Sequence, residues 1–122
     1  MPIDNFDDIH RLHQAWKKDL LLSEKEIRSL TDELTELSSK PMQQEQLIKV
    51  EHFQNALIRQ KEVVNDQLQL IVKADKIMSE SEGNPASLTT LHHQLQEDMD
   101  TFDRLFIELR EEFKSFKYQL PS

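Results

Sequence analysis

Residues 88–120 read LTTLHHQLQEDMDTFDRLFIELREEFKSFKYQL, and this stretch decides the fold. Taken alternately four and three apart, its positions are Leu88, His92, Leu95, Met99, Phe102, Phe106, Leu109, Phe113, Phe116 and Leu120. Nine of the ten are apolar, and four of the chain's six phenylalanines are among them. A mean step of about 3.5 residues lays such side chains in one stripe along a helix that faces another helix. A helix of this kind cannot stand alone in water, so the rest of the chain is searched first for its cover.

Upstream, a second stripe runs Phe6, Ile9, His13, Trp16, Leu20, Ser23, Ile27, Leu30, Leu34, Leu37. Asp4 or Asn5 suits its N-cap, and Asp7 and Asp8 in its first turn suit the helix dipole. Ser38 to Pro41 reads as a connection, with Pro41 in the first turn of the next helix. That helix has a spine of Val50, Leu57, Val64, Ile71 and Met78, seven residues apart, flanked by Leu47 and Leu68 on one side and by Phe53 and Ala74 on the other. Its apolar arc is broad, as for a helix packed on two neighbours. Gln54, Lys61 and Asp75 fall in the same alternating register as polar members. Glu82-Gly83-Asn84-Pro85 is the strongest punctuation, since Gly suits a helix C-terminus and Asn-Pro a helix start.

The expected fold is therefore all-α. Residues 1–122 form a single up-down-up three-helix bundle of long antiparallel helices with coiled-coil packing, over about 5–38, 42–79 and 85–119. The runner-up is a helical hairpin that completes its bundle by dimerising. Counting layers from the helix starts pairs Phe6 with Leu88, Ile9 with His92, His13 with Leu95 and Trp16 with Met99, and puts Ser23 level with Phe106.

Composition narrows the function classes. The chain of 122 residues has no cysteine, one glycine and a formal charge of -8. A phosphate backbone would be repelled by most of such a surface, so no nucleic acid partner is expected. One glycine leaves no phosphate-cradling loop. The longest unbroken aliphatic run is Leu20-Leu21-Leu22, and the acidic N-terminus does not read as a signal peptide, so no membrane partner is expected either. The absence of cysteine fits a cytoplasmic setting.

Where chemistry would sit is one end of the bundle. His10 and His13 on the first helix, His92 and His93 on the third and Asp75 on the second converge there. His13, His92 and Asp75 occupy seam positions, and imidazole with carboxylate suits a first-row divalent ion. The alternative is a polar layer of hydrogen-bonded histidines, with pH sensitivity near neutral. A diiron site lacks its Glu-x-x-His motifs, and nucleophilic catalysis lacks a paired nucleophile. No enzyme activity and no cofactor are expected.

Apolar residues outside the seams form the other candidate. Leu21 and Leu22 lie on the outer side of the first helix. Val63, Leu70 and Ile77 make a second seven-residue series on the second, with Ile58 and Val72 nearby. Either these build a face for a protein partner or a second copy, or the broad arc is two-sided burial. His52, Asn55 and Arg59 share a polar face that reads as solvated. The run Glu51-His52-Phe53-Gln54-Asn55 with Ile58-Arg59-Gln60, and Trp16 upstream, resembles short uncharacterised bacterial helical proteins of similar length, which implies no activity. The architecture also looks like a spectrin-type repeat, with Trp16 in the first helix, but that family's fuller pattern is missing and nothing is carried over from it. The expectation is a non-enzymatic helical interaction or structural module, with a small metal- or pH-responsive module as the alternative.

Overall fold

The computed structural model describes residues 6–80 and 85–120. They form α1 (Phe6–Ser38), α2 (Gln44–Glu80) and α3 (Pro85–Gln119), and no strand occurs among the described residues. Asp4, Asn5 and the Gly83-Asn84 punctuation lie outside them, as do the side chains of Phe6 and Leu88.

Each terminus has a local cause. The last carbonyls of α1 accept hydrogen bonds from Ser38 Oγ (to Thr35) and Ser39 Oγ (to Glu36), so the serines satisfy groups the helix leaves open. The second helix begins later than the Pro41 reading placed it. Gln43 is its N-cap: the Gln43 carbonyl accepts from Gln46 and Leu47 N–H, and the Gln46 side chain reaches back 2.9 Å to Gln43 N–H. The Gln46 side chain thus makes the third-position half of a capping box, while the Gln43 backbone carbonyl takes the N–H groups that follow. These hydrogen bonds outweigh the suitability of proline for a first turn, so Pro41 stays in the connection.

Up-down-up order is visible in the contacts. Between α1 and α3 partner numbers rise together, as in Glu26–Arg110 and Glu33–Lys117. Between α2 and α3 one rises as the other falls, as in His52–Glu112 and Gln67–Asp98. The core is one continuous column that includes Leu20, Ile27 and Leu34 of α1, Val50, Leu57, Val64 and Ile71 of α2, and Leu95, Phe102, Phe106 and Phe113 of α3. Its rings pack on one another, Phe53 within 5.3 Å of Phe113 and 5.2 Å of Phe116.

Two details of register depart from expectation. His13 meets His92, a separation of 79 residues, instead of lying level with Leu95. The same spacing carries Leu20 to Met99 and Ile27 to Phe106, and sets Ser23 against Phe102. Like positions of the two parallel stripes face each other, whereas counting from helix starts had shifted them by half a heptad. On α2, Gln60 and Gln67 are buried instead of Gln54 and Lys61, which are exposed. Phe53 and Ala74, both buried, continue the inward line through Gln60 and Gln67. No helix of the described residues is long and apolar enough to cross a membrane.

Candidate functional site

The stripe of α1 carries His13 inward, that of α3 carries His92 inward, and both are essentially without solvent contact. Asp75 reaches them from the end of α2. Its Oδ1 lies 2.9 Å from His13 Nδ1, and His13 Nε2 lies 3.2 Å from His92 Nδ1. For a neutral His13, the acceptor at one end sets the tautomer of each ring in the row. Asp75 is a carboxylate and only accepts, so His13 donates through Nδ1 and its Nε2 is a bare lone pair. His92 therefore donates to it through Nδ1, and His92 Nε2 is left as an acceptor. That nitrogen is buried and has no hydrogen-bond partner among the described residues.

Trp16 covers the pair. Its ring lies 5.4 Å from that of His13 and 5.2 Å from that of His92, both stacked. Such contact holds both imidazoles in plane and excludes water. Burial lowers the pKa of His92, and positive charge on His13 and then on His93 would lower it further. His10 stands at the exposed edge, 3.7 Å from Asp75, and His93 lies 6.2 Å from His92, ring to ring. A shallow groove of Asp7, His10, Val72, Asp75, Lys76, Met78 and Ser79 opens beside the carboxylate.

The three seam residues proposed as metal ligands are thus together, but in a row. A metal needs lone pairs converging on one point. Here the Nε2 of His13 is turned onto His92, and His92 Nε2 lies on the far side of its ring from that bond. Among the described residues no group of three or more His, Cys, Asp or Glu is arranged to hold a metal ion. The arrangement orients protons and resists charge.

The second candidate divides in two. Leu21, Leu22 and Ile58 are 50%, 55% and 57% exposed. Val63, Leu70 and Ile77 are half-buried, and Val63 and Leu70 pack against the core. Val63 shares a groove with Phe102 and Leu105 of α3, whereas Ile58 shares one with Glu24, Ile27, Arg28 and Thr31 of α1. Val63 therefore lies on the α3 side of α2 and Ile58 on the α1 side, and a shallow groove opens on each side. The polar trio His52, Asn55 and Arg59 is exposed, with His52 3.7 Å from Glu112 and Arg59 3.5 Å from Glu62.

Sequence reading missed one polar feature. Gln60 and Gln67 are buried on the α3 side of α2, and both Oε1 atoms lack a partner among the described residues. Gln67 Nε2 donates to Asp98 Oδ2 at 3.1 Å, and Asp98 also accepts from Gln94. The signal was present as glutamines seven apart, in line with Phe53 and Ala74.

No family model, curated protein or solved structure matches this chain, so its function has to be read from its own residues.

Proposed function

We propose that the chain is a non-enzymatic helical interaction module, its three helices joined by coiled-coil packing, and that its protein partner binds the open flank between α1 and α2. One observation carries this reading. Leu21 and Ile58 stay exposed although the column of core residues is filled without them. Exposed aliphatic side chains grouped on one flank cost solubility and are retained where another surface covers them. In this reading the module works in the cytoplasm, without a cofactor, on a protein or a second copy. Its charge of -8 favours neither nucleic acid nor an anionic membrane.

The test is a photo-crosslinking residue placed at Leu21 or Ile58 in the intact chain in its native cell. Adducts are expected at both positions and not at Asn55, an exposed site on the outer face of α2. A protein that sediments as a monomer and gives no adduct at Leu21 or Ile58 overturns the reading.

A second reading, a pH-responsive module, draws on the row Asp75–His13–His92. The observation that favours it is the buried His92 Nε2, which has no acceptor to receive its proton on acidification.

A further inference from the structure

We infer that the row Asp75–His13–His92 is a two-proton latch on one end of the bundle: that end stays closed with one proton added and opens at the second, parting the starts of α1 and α3. This deepens the pH-responsive reading and rests on it. It adds which proton acts and which part of the molecule answers.

Proton positions supply the count. With both rings neutral, His13 Nδ1–H donates to Asp75 Oδ1 at 2.9 Å, and His92 Nδ1–H donates to His13 Nε2 at 3.2 Å. One proton added at His92 Nε2 is absorbed when the His92 Nδ1 proton passes to His13 Nε2. His13 then carries the positive charge beside the Asp75 carboxylate. It donates through Nε2 to the lone pair freed on His92 Nδ1. Both hydrogen bonds survive, the second with its direction reversed, and the charge is paired. The only lone pair left for a second proton is that of His92 Nδ1. Two N–H groups would then face each other across 3.2 Å, and two cations would share one carboxylate. Both rings are buried, so water cannot stabilise that charge while the end is closed. Around the pair stand Asp7 and His10 from α1, Asp75 and Lys76 from α2 and His93 from α3. Lys76, and His10 and His93 once protonated, push the same way as the second proton; Asp7 and Asp75 oppose it.

Packing says which part opens. α1 and α3 lie less closely on each other than either lies on α2. Their ion pairs, Glu26–Arg110 and Glu33–Lys117, are toward the far end. Nearer the histidines Asp19 and Asp103 repel each other. At the level of His13 and His92 imidazoles make the α1–α3 contact in place of apolar side chains. Two cations there turn the contact into a second repulsive rung. Protonating Asp103 relieves the first rung and so works against opening.

The test follows backbone hydrogen exchange by mass spectrometry in the intact chain from pH 8 to pH 5, each rate corrected for the intrinsic effect of pH. Below about pH 6.5, protection in residues 92–99 is expected to fall by about tenfold, and that in 106–116 by less than about threefold. Trp16, the chain's one tryptophan, stacks on both rings and is expected to become open to acrylamide quenching over the same range. Asp75→Asn keeps an acceptor for His13 Nδ1–H but removes the charge that pairs the first proton, so it is expected to open at higher pH than the wild type. His92→Leu removes the second site and is expected to stay closed throughout. Circular dichroism at pH 8 checks both folds, and Asp75→Asn decides alone if the leucine variant does not fold. Loss of protection in both segments together, or an unshifted Asp75→Asn, overturns the latch and leaves the pH-responsive reading in place. No change in protection or quenching between pH 8 and pH 5, or a His92→Leu variant that opens as the wild type does, removes both.

Discussion

His92 shows what a single seam position can carry. Its folded-state pKa is lowered, by burial first and by neighbouring histidine charge next. A base held low is neutral in the fold while the unfolded chain still binds a proton below about 6.5. The stability it contributes is therefore complete above pH 6.5. It is lost progressively as pH falls from there toward the folded-state value. The charges bearing on this change are Asp75 from α2, His10 and His13 from α1 and His93 beside it on α3. Melting temperature followed from pH 8 to pH 5 is expected to fall, and the slope to flatten in His92→Leu. A His92→Leu variant with the wild-type slope would remove the role assigned to this ring. The convergence of His13, His92 and Asp75 was legible from their seam positions. Their row geometry was not, because heptad position says which way a side chain faces and nothing of which ring nitrogen meets which.

Along the elements, α1 and α3 meet through a ladder of flanking residues 84 apart. Glu26 bonds Arg110 at 2.9 Å, and Glu33 bonds Lys117 at 2.7 Å. The same spacing one heptad earlier sets Asp19 against Asp103. Burial, then Asp19, then Asp100 raise the Asp103 pKa, so ionising this carboxyl works against the fold. That cost is present above the folded-state pKa and is relieved as pH falls toward the unfolded value. Asp103→Lys extends the ladder by one attractive rung. It is expected to stabilise the bundle by about 0.5 kcal/mol, the scale of exposed pairs, with Asp103→Asn gaining less. Thermal melts at pH 7 in low salt read the difference, and a lower melting temperature for the lysine variant would contradict the ladder. The three helices were legible from the period of their apolar residues, and their ends to within a turn. Which flank of α2 would be buried was not. Phe53 and Ala74 on one side and Leu47 and Leu68 on the other left the arc balanced, and the choice fell to packing against α3.

For the molecule as a whole, the bundle is one greasy column wrapped in charged side chains. The expectation of its function class was reached only by exclusion, since residue types absent from the chain cannot carry a chemistry. Of the apolar residues singled out beyond the seams, Leu21, Leu22 and Ile58 are exposed, whereas Val63 and Leu70 pack against the core.

The glutamines of α2 bear on alignment. A uniformly aliphatic line would let α2 and α3 slide past each other by a heptad at small cost, as a smooth rail does. Gln67, latched to Asp98, acts as a detent that admits one position. Replacing Gln60 and Gln67 together by leucine removes two unpartnered oxygens at about 1–3 kcal/mol each, so the double variant should melt higher. It should also elute as several species where the wild type gives one. A single sharp species from that variant would show that the detent sits elsewhere.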